Sequence, residues 1–356
     1  MSLEEYTKYK SRLSSGNKDK MDAMYNGNYE LNKTRIDEGI TNDKNHQNLI
    51  NFCANFFIPL GIISKSTGYF ILTPEPLYGG TIKNFDLAIY NKELKNLILV
   101  ECKSSISRVS DEVTDLHKTI ETTKTNTQNL IDKLGIEIND IDYVICVDGN
   151  LAKDFCDEIY EKNYPICTWA VSQTRSELKI FRCSNEEHWK AMANGRVHKD
   201  KSLHGLLYDG VTLEGTLPIF PILPSSNSCN IITHLNFTLK NLQLIEDMNE
   251  MFDYTHIFYL IKKELEKSTL NDSQIEEITI NIIEKCIAKG IYIDVHKEII
   301  DIKEKKLKLA FTTSDTKKII EKTIKNYIEK NAAKKAREFS LTTMKNEINP
   351  SLNKFF

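Results

Sequence analysis

The sequence predicts an α/β fold in which helices flank a mixed sheet, followed by a mainly helical C-terminal region. Three observations carry this. Residues 43–60 place Leu49, Ile50, Cys53, Phe56 and Phe57 at helical spacing. Two apolar runs, 84–90 and 97–103, are joined by a polar turn from Asn91 to Asn96. A long helical stretch, 109–134, then leads into the near-continuous apolar run 142–147, the kind expected inside a sheet. The core order is therefore α-β-β-β-α-β.

Each element has a local reason. Asn42 or Asp43 caps the first helix, and Pro59 and Gly61 stop it. Tyr69 to Leu72 is a short strand, ended by Thr73-Pro74-Glu75-Pro76. The helix after the strand pair carries the stripe Val113, Leu116, Ile120, Leu130, Ile131 and Leu134, with Gly135 as its C-terminal stop. Strand, long helix, strand implies a right-handed parallel crossover. Leu151, Phe155 and Ile159 mark a short amphipathic helix. Residues 166–171 and 178–183 are further strands of the same sheet, joined near Thr174-Arg175-Ser176. Residues 185–215, with His188, Trp189, His198 and His204, have weak periodicity and read as irregular structure.

The residues that point to chemistry lie on the strand pair. Asp86 enters the first of the two strands after the approach Gly79-Gly80-Thr81-Ile82-Lys83-Asn84-Phe85, and Glu101-Cys102-Lys103 ends the second. Alternation puts Glu101 and Lys103 on one face, roughly 6–7 Å apart along the chain, and Cys102 on the other. Antiparallel pairing brings Asp86 beside them. Two carboxylates and an ammonium in a small space suit Mg²⁺, a hard cation that keeps several waters, and such a metal acidifies water and stabilises charge on a phosphodiester. Other acid-x-Lys triplets occur, at Glu93, Asp301, Glu304 and Asp315. Only Glu101-Cys102-Lys103 closes a strongly apolar run that a long helix and a further strand follow. The competing reading is a solvated hairpin with a surface salt bridge, worth about 0–1 kcal/mol.

This constellation and its order of elements resemble the PD-(D/E)xK nuclease superfamily, the restriction-endonuclease-like fold, over residues 43–149. The residue before the first acid is Phe85 rather than proline. The resemblance implies that Asp86 and Glu101 bind Mg²⁺ and that Lys103 orients or deprotonates the attacking water. It also implies an accessory polar residue from the first helix, for which Gln47, beside His46, is the best match. Glu75 is a further acid near the site, or a loop residue framed by prolines.

Length and composition set outer bounds. With 356 residues the chain has room for two domains, and 40% hydrophobic content argues against global disorder. No apolar stretch approaches bilayer length, residues 1–20 lack a signal-peptide core, and eight scattered cysteines read as reduced thiols of a cytoplasmic protein. The net charge of −3 does not advertise a nucleic-acid binder, although residues 301–350 hold 13 Lys or Arg against 7 Asp or Glu.

The expected division is a flexible polar N-terminal arm, 1–40, a catalytic domain, 41–224, and a lysine-rich helical domain, 225–356, for target recognition or dimerisation. Pro218, Pro221 and Pro224 followed by Ser225-Ser226-Asn227-Ser228 mark the boundary. Beyond it, helices lie over 242–265 and 273–287, the second with the capping box Ser273 and Glu276 and with Gly290 as its stop. Short strands at 298–302 and 307–311 enclose a charged turn, and a lysine-rich helix from about Asp315 to Glu338 follows. Helices before a basic hairpin resemble a winged-helix arrangement, which makes Lys303, Lys305 and Lys306 candidate phosphate contacts.

The function expected is a Mg²⁺-dependent endonuclease acting on double-stranded DNA, of the type II-like, sequence-specific restriction class and working as a homodimer. A repair, junction-resolving or defence nuclease without a fixed recognition sequence is close behind. A catalytically inactive nuclease-fold DNA-binding protein, or a scaffold in which the three residues coincide by accident, stays open.

Overall fold

The computed structural model describes residues 3–58, 61–77, 84–105, 108–174, 177–214, 223, 225, 251–264, 272–288, 292–309 and 316–348. The approach residues 79–83, most of the proline-rich boundary and residues 242–250 of the helix expected over 242–265 lie outside the described residues; within the rest of that span Phe252–Asp253 is a strand and the helix starts at Tyr254.

The protein is α/β. Seven strands form one mixed sheet in sequence order: β1 (Tyr69–Pro74), β2 (Leu87–Asn91), β3 (Asn96–Lys103), β4 (Asp140–Asp148), β5 (Cys167–Gln173), β6 (Glu177–Cys183) and β7 (Val211–Glu214). The first three pair antiparallel, β3–β4–β5 are parallel, and the last pairings are antiparallel again. Parallel pairing of β3 with β4 requires a crossover. That crossover is helical, as the spacing predicts, but in two pieces: α4 (Val109–Thr125) and α5 (Thr127–Leu134). Gly135 adopts φ 62° and ends α5 in the left-handed conformation that glycine tolerates best.

Both faces of the sheet are covered. On one, Leu49, Ile50, Cys53, Phe56 and Phe57 of the helical stripe pack on Ile98, Val100, Cys102, Val144, Cys146 and Trp169. The helix carrying that stripe is α2 (Ser15–Phe56), with α3 (Ile62–Thr67) after it. On the other face, Val113, Leu116, Ile120 and Leu130 pack on Leu97, Leu99, Tyr143, Ile145 and Val147, joined by Phe155 and Ile159 of α6 (Ala152–Glu161). The near-continuous apolar runs of β3 and β4 follow from this double burial.

Residues 185–215 are not irregular. They contain α7 (His188–Ala193), α8 (Lys201–Asp209) and β7. The helices are too short to show a period. The signal for α8 was its cap: the Asp200 carboxylate accepts from the Ser202 N–H. Arg196 is buried here and donates to Glu186 and Asn163. His198 is also buried, accepting from Trp169 Nε1 at 3.0 Å and contacting Asp142 Oδ2 at 2.8 Å. Indole is only a donor, so Nε2 accepts and the proton sits on Nδ1, directed at the carboxylate.

A second, three-stranded antiparallel sheet follows, in the order β8 (Phe252–Asp253), β10 (Lys306–Leu309), β9 (Tyr292–Asp294). Between β8 and β9 lie α9 (Tyr254–Glu264) and α10 (Asp272–Ala288). The strand expected at 298–302 falls instead at Tyr292–Asp294, because Asp301 caps a short 3₁₀ turn at Ile302–Glu304 by accepting from the Lys303 N–H. The capping-box residue Ser273 lies inside α10, and Glu276 pairs with Lys303.

The chain divides into two compact units, 1–42 with 311–356, and 43–310. The described residues of the N-terminal arm are helical, as α1 (Leu3–Ser11) and the first part of α2. Tyr6 and Met21 bury against Leu341 and Met344 of α11 (Thr316–Ile348). Among the described residues no helix is long and apolar enough to cross a membrane.

Candidate active site

The site forms where β2 begins and β3 ends. The Asp86 N–H donates to the Val100 carbonyl at 2.9 Å, which sets Asp86 next to the end of β3. Its carboxylate then accepts from the Cys102 N–H at 2.6 Å and contacts His46 Nε2 at 3.1 Å. Glu101 and Lys103 share a face as alternation requires, with Nζ 3.0 Å from Glu101 Oε1. Asp86 and Glu101 are both largely buried.

Glu112 went unread in the sequence, and His46 was noted only as the neighbour of Gln47. Glu112, in the first turn of α4, contacts Lys103 Nζ at 3.0 Å, so the ammonium lies between two carboxylates. The clue was an acid at a helix N-terminus directly after the strand. His46, rather than Gln47, reaches Asp86. Gln47 is the more buried of the two neighbours, at 7% exposure.

Glu75 is both a loop residue and a neighbour of the site. It follows β1 with φ 43°, and its N–H donates to the Asp86 carbonyl at 2.9 Å. Its carboxylate accepts from the Ser225 N–H at 3.0 Å and from the Ser225 hydroxyl.

Burial and charge set the protonation of the cluster. Burial opposes the charge on Lys103, but the negative charge of Glu101 and the hydrogen bond to Glu112 raise its pKa on balance, so it stays an ammonium. Burial likewise disfavours imidazolium at His46, and the hydrogen bond and charge of Asp86 overcome it and raise the pKa. At Glu75 burial dominates and raises the pKa, against the two Ser225 hydrogen bonds.

Asp86 and Glu101 present the donor chemistry that Mg²⁺ takes: one or two carboxylates, with water for the rest. Among the described residues, the group of three His, Cys, Asp or Glu ligand atoms within 4.8 Å of one another is Cys53, Cys102 and Cys146, behind β3, and not a trio of acids. Beside the site, at the C-terminal ends of β3, β4 and β5, a cavity of about 290 Å³ is lined by Asn45, Asn48, Ser104, Asp148 and Gln173 among others. Open sheets bind ligands outside the carboxyl ends of their parallel strands.

The candidate phosphate contacts at the second sheet are engaged within the chain. Lys303 pairs with Glu276 and Lys306 with Asp253. Lys305 is buried and bonded to Asp294 and the Ile299 carbonyl, which makes it the least able of the three to reach a phosphate.

Comparison of the chain with family models, with curated proteins and with solved structures found no significant match to any of them.

Proposed function

We propose that the protein is a Mg²⁺-dependent endonuclease that hydrolyses phosphodiester bonds of double-stranded DNA. The observation that carries this is the placing of Asp86, through bonds to Val100 and Cys102, beside the end of β3 that bears the Glu101–Lys103 pair, within an α-β-β-β-α-β core. That core and triad resemble the PD-(D/E)xK nucleases. A cavity at the C-terminal ends of β3, β4 and β5 is lined by Ser104, next in sequence to Lys103, and by none of the three site residues themselves.

Asp86 and Glu101 hold the metal, which when bound supplies charge for the scissile phosphate and an acidified water. The Cys102 N–H and His46 fix the Asp86 carboxylate. Glu112 and Glu101 fix the Lys103 ammonium, which orients the attacking water and offsets negative charge as the phosphorane forms. Glu101 projects from β3, and Asp86, in the bend just before β2, is tied to that strand through its N–H bond to the Val100 carbonyl, which favours a constant geometry.

The type II-like restriction reading, with a homodimer cutting two strands, rests on the target-reading role of the second sheet. Its supporting feature is the order strand, two helices, two strands, with the last strand central, which resembles a winged helix. A nuclease without a fixed recognition sequence shares the same active site.

Cleavage of supercoiled plasmid and long linear DNA, with Mg²⁺ or EDTA and with Lys103→Ala, tests this. Discrete Mg²⁺-dependent fragments, lost in the variant, support the restriction reading. A metal-dependent smear or nicking supports the nuclease without a fixed target. Absence of cleavage, or cleavage that survives the substitution, removes the assignment and leaves a DNA-binding role.

A further inference from the structure

Three thiols converge on the face of β3 opposite Glu101 and Lys103. Cys53 comes from α2, Cys102 from β3 and Cys146 from β4. The parallel register sets Cys102 opposite Cys146. All three residues are 0% exposed, and their sulfur atoms lie within 4.8 Å of one another. Thiolate sulfurs about 2.3 Å from a shared ion in one plane stand about 4 Å apart. The observed spacing is thus within a small side-chain adjustment of a trigonal site.

We propose that Cys53, Cys102 and Cys146 form a buried three-sulfur site for a soft d¹⁰ cation, with monovalent copper the best fit. Thiolates select soft ions over Mg²⁺ or Ca²⁺. Structural zinc takes four ligands. Among the described residues no fourth His, Cys, Asp or Glu joins this group. Ile50, Ala54, Ile98, Val100 and Val144 belong to the same apolar core, and the carboxylate near the thiols, that of Asp86, is held by the Cys102 N–H and His46. Monovalent copper is satisfied by three sulfurs, and its binding releases thiol protons. Loading takes place during folding or through an opening of α2 from the sheet, since no sulfur faces solvent.

The site is independent of the nuclease reading, because its occupancy is read without cleavage. The full chain is refolded anaerobically with monovalent copper, and affinity is measured by competition with a chromophoric copper chelator. One equivalent per chain, with a near-ultraviolet sulfur-to-copper band, is expected. Cys53→Ala and Cys146→Ala should each weaken binding at least tenfold, and Cys183→Ala, outside the group, should not. Alkylation of the wild-type protein in urea sufficient to open α2 from the sheet gives a readout that needs no variant: Cys53, Cys102 and Cys146 should be protected in the loaded chain relative to the metal-free refolded chain. Failure to compete for one equivalent, equal binding in all variants, or identical alkylation with and without copper would overturn the site. Tighter retention of zinc than of copper would overturn the choice of ion.

Discussion

The backbone N–H of Cys102 donates to the carboxylate of Asp86 across 2.6 Å. One peptide group therefore fixes the first acid, while the residues on either side of it, Glu101 and Lys103, supply the second acid and the cation. A shift of β3 by one residue would turn both side chains toward the opposite face and move the donor away from Asp86. Five ladder pairs with β2 and eight with β4 hold that register.

Asp86→Asn should abolish metal-dependent cleavage while leaving the fold intact. The amide oxygen can still accept from Cys102, but the negative charge that holds the ion is gone. A loss on the order of 10²-fold or more in cleavage rate is expected, with an unchanged circular dichroism spectrum. Cleavage within a few-fold of wild type would remove Asp86 from the metal site.

Glu112→Gln should act through Lys103. It takes away one of the two carboxylates on that ammonium, so cleavage should fall, by about tenfold if the fixed cation matters to the transition state. In the double variant with Lys103→Ala, Glu112→Gln should add little, because residues of one network are not additive. Equal and independent losses would show that Glu112 works elsewhere.

Stability should fall in acid partly through Asp142. Burial opposes its charge, yet hydrogen bonds from His198 and Asn96 outweigh it and lower the pKa below the ordinary range. A carboxylate depressed on folding stabilises the protein above its unfolded pKa of about 4 and loses that contribution as pH falls through the folded value. Melting temperatures from pH 6 to pH 3 should drop less steeply in Asp142→Asn than in wild type. Parallel curves would show that another group governs the acid limb.

Arg196→Ala should be among the more damaging substitutions outside the site. It leaves the Glu186 carboxylate, nearly enclosed, without its guanidinium partner, and frees Asn163. Removing one member of a buried pair costs about 3–5 kcal/mol. Urea denaturation gives the value, and a change below about 1 kcal/mol would mean that water replaces the pair at little cost.

Much of the sheet was legible because its signals are local. The stripe from Leu49 to Phe57, the runs of β3 and β4 and the Gly135 stop each sit within a short window, and Asp86, Glu101 and Lys103 need only alternation and one antiparallel turn to meet. What stayed hidden depends on tertiary contacts. Glu112 is near Lys103 in sequence, but the contact depends on how the crossover helix α4 is turned against β3. Ser225 reaches Glu75 from 150 residues away. Cys53, Cys102 and Cys146 lie on three separate elements, so no spacing rule for metal ligands finds them. The second strand of the small sheet was misplaced because Ile299, Ile300 and Ile302 look strand-like, whereas a cap at Asp301 turns the chain there.

The packing of Tyr6 and Met21 on Leu341 and Met344 has a consequence for synthesis. The first helices emerge from the ribosome long before their partner does. At about 5–20 residues per second, the wait from Met21 to Leu341 is on the order of tens of seconds. During that interval residues 43–310 are fully made and can assemble their sheets, while the earliest-made helices still carry a bare apolar stripe. Helix α1 and the start of α2 are thus made before residues 43–310 and completed after them.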